Sequence, residues 1–260
     1  MDENGRGCMI EEKLKRLRAK LEENNIDGYI VPSTDEYQGE YTAPYAKRLQ
    51  YITNFSGSNG IAIIFKKKAV LLTDGRYLTQ AEHELDLKEF DIVDITKLYS
   101  VDWREYGIEA GQLLGYDPKL FTASQLRLFK DFKLQAVDDN LIDAIWVDQP
   151  AKPKRPAYIY PEEIAGMSFQ EKLSKIQAKL QEKKAEYCLI TTSDSLCWAL
   201  NIRGEDVMYV PFVHGYLVVG LQKSYLFTNK TRVGQIEDFL SSHVEIMAEE
   251  DISDFLIDVK

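Results

Sequence analysis

The chain has 260 residues, 45% apolar and 28% charged, with a formal net charge of −10. That composition is ordinary for a globular protein, and the acidic balance argues against general attraction to nucleic acid or anionic membrane. The three cysteines, Cys8, Cys188 and Cys197, show no CxxC spacing, so neither a disulfide framework nor a zinc site is expected. No run of 18 apolar residues is long enough for a membrane-spanning helix, and the polar N-terminus lacks the apolar core of a secretory leader. The expected compartment is the cytoplasm.

In chain order, Ile10, Leu14, Leu17 and Leu21 predict an amphipathic helix over about residues 10–24. Tyr29-Ile30-Val31 predicts a short strand ended by Pro32, and the polar stretch 33–41 predicts a surface loop at a sheet edge or a domain mouth. Residues 61–65 and 69–73 predict a hairpin turning at Lys66-Lys67-Lys68, read as a solvated turn and not a nucleic-acid patch. A helix follows at 78–85 and a strand at 90–95. Next come the Leu113–Asp117 segment and a helix near 125–132, entered through a Thr122–Gln125 capping box. Pro150, Pro153, Pro156 and Pro161 predict a stiff linker over 150–161, because proline fixes φ and cannot donate to a ladder.

The same pattern then begins again. Phe169, Leu173, Ile176 and Leu180 repeat the first helix at a constant offset (Ile10 to Phe169, Leu21 to Leu180), entered through a Ser168–Glu171 capping box. Gly28–Val31 is matched with Glu186–Leu189, and Gly60–Asp74 with Gly215–Asn229. Strands are expected at 187–192, 216–221, 224–228 and 244–247, with helices at 196–200 and 233–240. A self-similarity of this length implies two domains of one fold in tandem. They are set at 9–149 and 162–260, the second C-terminally incomplete because its copy stops early. Helices mixed with strands and hairpins predict α/β domains with mixed sheets. No G-x-G-x-x-G opens a helix after a strand, so no dinucleotide site is expected.

Three histidines, His83, His214 and His243, stand far apart in sequence with no H-x-x-x-H or H-E-x-x-H pairing. Surface or structural roles are expected for them, and no G-x-S-x-G suggests a nucleophile. Asp74 in Thr73-Asp74-Gly75-Arg76-Tyr77 reads first as a turn and helix cap; Arg76 could instead grip a carboxylate or hold a domain contact. Asn54–Gly57 and Asn201–Gly204 read as equivalent loops that either bind or pack on a neighbour.

Taken in order, Tyr29–Ser33, Glu40-Tyr41-Thr42-Ala43-Pro44, Phe55–Gly60, Thr73–Tyr77, Ile145-Trp146 and Trp198–Gly204 resemble the three-domain Xaa-Pro aminopeptidases. The resemblance implies two tandem creatinase/prolidase N-terminal domains of ribonuclease-H-like α/β fold. It also implies a third, catalytic domain that this chain lacks. That third domain would carry two Mn²⁺ and their ligands, so no catalytic or metal-ligating residue is assigned here and the segment alone is expected to be silent. The longer enzyme would remove the N-terminal residue from peptides with proline second. Phe55, Ser56, Gly57, Ser58, Asn59, Arg76, Tyr77, Asn201, Arg203 and Gly204 are the candidates for shaping its active-site mouth or its subunit contacts, with a homodimer expected. The alternative is a peptide- or histone-binding module of the same fold without enzymatic activity. A metal-dependent nuclease is disfavoured, since Asp74 alone is well placed and its counterpart is Asn229.

Overall fold

The computed structural model describes the backbone of residues 3–106 and 108–259, with side chains from residue 9 onward. The chain falls into two compact units. The first takes Met1–Glu36 and Pro44–Ala151; the second takes Tyr37–Ala43 and Lys152–Lys260.

In the first unit, α1 (Glu3–Glu23) leads to β1 (Gly28–Pro32), and α2 (Arg48–Thr53) precedes the hairpin β2 (Gly60–Phe65) and β3 (Ala69–Thr73). Then come α3 (Leu78–Glu84), β4 (Phe90–Asp94), β5 (Leu113–Tyr116), α4 (Ala123–Leu126) and β6 (Lys133–Ala136). The six strands form one sheet in the order β4-β3-β2-β1-β5-β6. It is mixed, as expected: β1–β2 and β2–β3 are antiparallel, while β3–β4, β1–β5 and β5–β6 are parallel.

Strand alternation sends side chains to two covered faces. Tyr29, Val31, Ala62, Ile64 and Leu71 meet the Ile10–Leu14–Leu17–Leu21 stripe of α1. Ile30, Ile63, Phe65, Val70 and Leu72 meet Trp103, Phe121, Phe129 and Phe132 from the chain between β4 and β6. With both faces covered, all five residues of β1, all six of β2 and all five of β3 are buried. Each fully buried Leu, Ile or Phe contributes about 1.5–3 kcal/mol.

The second unit begins with β7 (Tyr158–Ile159) and α5 (Glu162–Ala165), followed by α6 (Phe169–Lys183), β8 (Tyr187–Ile190), α7 (Ser193–Leu200) and β9 (Ile202–Arg203). The hairpin β10 (Tyr216–Gly220) and β11 (Ser224–Phe227) precedes α8 (Lys230–Val233), α9 (Glu237–Leu240), β12 (Val244–Met247) and α10 (Ile252–Asp258). Its main sheet runs β12-β11-β10-β8, the counterpart of β4-β3-β2-β1, and β7 pairs with β9 separately. Both capping boxes form, at Thr122–Gln125 and at Ser168–Glu171.

Several expectations are corrected. The second strand is matched one residue too early. Gly28 pairs with Phe65 and Tyr187 with Gly220, so Tyr187, not Glu186, is the counterpart of Gly28. A one-residue slip exchanges the two faces of a strand. The helix expected at 233–240 is broken into α8 and α9, with Gly234 as the C-cap of α8. The helix near 125–132 is one α turn followed by a 3-10 turn over Arg127–Phe129. The 150–161 linker is structured in its second half: Ala157 is fully buried, its N–H donates to Arg232 O at 2.8 Å, and β7 follows.

Candidate functional site

In the first unit the candidate residues gather at one end of the sheet. Helix α2 stops at Asn54, whose left-handed φ of 65° ends the helix, and residues 55–59 carry the chain into β2. Gly60 pairs with Thr73, so the loop leaving β3 emerges beside the loop entering β2. The structure therefore brings Phe55–Asn59 and Asp74–Tyr77 together.

Asn59 Nδ2 donates to Asp74 Oδ2 at 2.7 Å. Arg76 donates to the same carboxylate through Nε and Nη2, at 2.9 and 2.8 Å, and through its backbone N–H at 3.0 Å. The Arg76 side-chain bonds, then Asn59, hold the Asp74 carboxyl well below the usual carboxylate range. The Arg76 guanidinium also lies 5.1 Å from the Tyr77 ring centroid. Ser58 Oγ and Tyr77 Oη are 2.8 Å apart. Ser56 is tied to Glu84 through its N–H and hydroxyl, both at 2.7 Å.

Much of this set is scaffold. Phe55 is buried and meets Tyr77 edge to face at 6.0 Å. A Cβ on Gly57 would lie 2.3 Å from Phe55 Cζ and 2.9 Å from Tyr77 Cδ1, so this close approach requires glycine. Ser56, Gly75 and Arg76 are left exposed. The hydrogen-bond partners described for the two serine hydroxyls are Tyr77, Glu84 and Gln80, so this end offers hydrogen bonding beside a neutralised ion pair.

In the second unit Asn201, Arg203 and Gly204 stand together after α7. Asn201 has the left-handed φ of 50° that caps α7, and its Nδ2 donates to Met167 O at 2.8 Å. Arg203 Nη1 donates to Cys197 O at 2.9 Å, and its guanidinium lies 4.2 Å from the Tyr160 ring centroid. A Cβ on Gly204 would lie 2.7 Å from Val213 Cγ2. These residues close the C-terminal end of α7, where cations complement the helix dipole.

A cluster that sequence reasoning missed lies at the neighbouring sheet end of the same unit. Asp206 accepts from the His214 N–H at 2.6 Å and pairs with Arg232, both partners fully buried. Burial pushes the Asp206 carboxyl above the usual range, against the pull of Arg232, and its Oδ1 has no hydrogen-bond partner. Tyr37 stacks on His214 at 4.2 Å and donates to Glu249 at 2.6 Å. No spacing signal links Tyr37 to His214 or Glu249. The Gly204-Glu205-Asp206 run, two residues beyond a candidate already chosen, was the one available hint.

His83 Nδ1 lies 2.7 Å from Thr79 O, and His243 Nδ1 lies 2.7 Å from Ser242 Oγ, both on the surface. Among the described residues, no group of three or more His, Cys, Asp or Glu side chains could hold a metal ion. The described residues therefore offer no ligand set for a metal pair. Nor is any helix among them long and apolar enough to cross a membrane.

The profile of the Creatinase/Prolidase N-terminal domain matches residues 13–148, and a second profile of the same description matches residues 148–260. The chain belongs to the creatinase/prolidase N-terminal domain family. Curated relatives in this family include a "Probable Xaa-Pro aminopeptidase P" of Ajellomyces dermatitidis (strain ER-3 / ATCC MYA-2586). It is 35% identical over 249 residues, which cover 90% of this chain and 40% of that protein. A protein of the same description from Coccidioides posadasii (strain RMSCC 757 / Silveira) is 34% identical over 257 residues, covering 94% of this chain and 42% of its own length. Among solved structures, an X-prolyl aminopeptidase from Caenorhabditis elegans, described as a cytosolic enzyme with a di-nuclear active site, superposes with a TM-score of 0.86. Its identity is 29%, and the match covers 95% of this chain and 44% of that one. The chain thus spans about two-fifths of the length of these three relatives, and the two family profiles together match residues 13–260.

Proposed function

We propose that this chain is the N-terminal, non-catalytic region of a metal-dependent Xaa-Pro aminopeptidase, an enzyme that removes the N-terminal residue from peptides with proline second. The carrying observation is the ordered pair of family domains, matched over 95% of this chain by part of an X-prolyl aminopeptidase. In this reading two Mn²⁺ belong to a catalytic domain outside the 260 residues, and the enzyme is a cytoplasmic homodimer. The exposed Ser56 and Arg76 end of the first unit shapes the active-site mouth or a subunit contact, while Asn201, Arg203 and Gly204 keep the α7 end in place.

What recommends Arg76 is its preparation. Its bidentate bonds to Asp74 fix the plane of an exposed guanidinium, which lowers the ordering cost of binding. The test is hydrolysis of an Xaa-Pro peptide by this chain with added Mn²⁺. The reading expects none, and Mn²⁺-dependent turnover would refute it. A parallel pull-down with a basic protein tests the non-enzymatic binding module, to which the acidic charge lends its one support.

A further inference from the structure

The two copies differ in what fills the space between the long helix and the hairpin turn. In the first unit, Arg18 of α1 donates through Nε to Phe65 O at 3.2 Å and through Nη2 to Glu89 Oε2 at 3.1 Å. In the second, Gln177 of α6 donates to Gly220 O at 2.9 Å. Phe65 and Gly220 are equivalent: the N–H of each donates to the lysine carbonyl that closes its hairpin, Lys68 at 2.8 Å and Lys223 at 3.0 Å. Glu89 and His243 are equivalent too. Their carbonyls accept from Ala69 and Ser224, the first residues of β3 and β11, at 3.2 and 3.3 Å. Gln177 and His243 therefore stand where the first unit has an ion pair.

At that place the second unit has a cleft of about 260 Å³, walled on its apolar side by buried Leu173. Its polar lining includes Gln170, Gln177, Gln222, Lys223, Ser242 and His243. By the same equivalences, Glu11, Lys67 and Lys88 of the first unit give way to Gln170, Gln222 and Ser242. One ion pair is kept: Lys68–Asp91 at 3.4 Å reappears as Lys223–Glu245 at 2.5 Å. The replacements have a direction. Glu11 and Glu89 carry carboxylates, which only accept hydrogen bonds when ionised. Amide, hydroxyl, imidazole and ammonium groups, which all can donate, take over in the second unit, and none of the described lining residues is acidic.

We propose that this cleft of the second unit binds a small oxyanion, a carboxylate or a phosphate group. Donors from three elements converge on it: Gln170 and Gln177 from α6, Gln222 and Lys223 from the β10–β11 turn, and Ser242 and His243 from the turn before β12. The imidazole is held in place, with Nδ1 2.7 Å from Ser242 Oγ and the ring edge to face with Phe169 at 5.8 Å. The volume limits the ligand, since sites for drug-sized molecules occupy about 300–1,000 Å³. The first unit fills the equivalent space with its own guanidinium and carboxylate, so the capacity belongs to one copy alone. This inference does not depend on the peptidase reading.

The test is an NMR titration of the full chain with sodium phosphate and, separately, sodium acetate, with sodium chloride at matched ionic strength as control. Saturable shifts are expected for the His243 ring and the side-chain amides of Gln170 and Gln222, with the His83 ring of the first unit unmoved. A response to phosphate alone, to acetate alone or to both supports the site and tells which oxyanion it takes. Gln177→Arg together with His243→Glu recreates the first unit's ion pair in the cleft and should weaken the response roughly ten-fold or more, as expected for losing hydrogen bonds to a charged ligand. Ser242→Ala, a smaller change, should weaken it in the same direction. The proposal is overturned if neither anion gives a saturable shift or if chloride reproduces the shifts. It is equally overturned if the double variant binds as tightly as the wild-type chain.

Discussion

Lys13 and Lys172 do the same thing in the two copies. Lys13 Nζ donates to the Tyr51 carbonyl at 2.8 Å and lies 4.1 Å from the Tyr51 ring centroid. Lys172 Nζ donates to the Trp198 carbonyl at 2.9 Å and lies 4.7 Å from the Trp198 ring centroid. Each lysine comes from the long helix and closes the short helix that ends in a left-handed asparagine, Asn54 or Asn201. Burial lowers the pKa of both. A device this specific, repeated at equivalent places, argues for duplication more strongly than shared apolar spacing does.

The two devices differ in depth, which gives a stability prediction. Lys172 is 2% exposed and also donates to Asn201 Oδ1 at 2.5 Å, whereas Lys13 is half-buried. Lys172→Ala removes the ammonium from the buried Asn201 Oδ1 and the part-buried Trp198 carbonyl and should cost about 2–3 kcal/mol, against about 1 kcal/mol for Lys13→Ala. Urea unfolding, read by tryptophan fluorescence and by exchange in each unit, checks this. Equal costs would contradict it.

Asp74 gives a pH prediction. Its folded pKa lies below the unfolded value, so its contribution to stability is complete above the unfolded value of about 4 and is lost as pH falls towards the folded one. Carbon-detected NMR should place the Asp74 midpoint well below that of an ordinary aspartate. Arg76→Gln should move it upward, because the Arg76 bonds are the first cause of the shift. An unchanged midpoint would mean that the bidentate pair does not persist in solution.

Burial raises the Cys197 thiol to about 11, where little thiolate exists near neutrality. Maleimide at pH 8 should leave Cys197 unlabelled in the native chain and modify it only in denaturant. Rapid native labelling would show that the α7 packing opens readily.

β8 supplies a prediction about association. In the first unit Ile30, on the equivalent strand, is 1% exposed and lies between β2 and β5. Its counterpart Leu189 is 42% exposed, and β8 pairs with β10 alone among the described strands. Four residues, Tyr187–Ile190, present this edge without a proline or a charge to protect it. Sedimentation should show concentration-dependent self-association that Leu189→Lys abolishes. A wild-type chain that stays monomeric at high micromolar concentration would contradict this.

What could be read from sequence was local. The helix stripes, both capping boxes and the two hairpins carry their signals within a few residues, and all are found. Where strong local rules were absent, the reading failed. Helix α2 (Arg48–Thr53) follows Lys47, an N-cap residue that makes no side-chain cap bond, and β6 is a half-exposed edge strand, so neither announces itself. The 33–41 stretch has loop composition, yet Tyr37 is buried by partners far along the chain, His214 and Glu249. At the candidate site, the small and polar residue types gave no way to tell exposed Ser56 and Arg76 from their packed neighbours. They concealed that Phe55 and Gly57 serve packing.

In the proposed reading the metal pair of the longer enzyme lies outside these two copies of one scaffold, whose described residues gather no group of three or more His, Cys, Asp or Glu side chains that could hold a metal ion. Isothermal titration of the 260-residue chain with Mn²⁺ tests this most directly. The prediction is no stoichiometric binding tighter than millimolar. Saturable uptake of two ions per chain at micromolar concentration would contradict it.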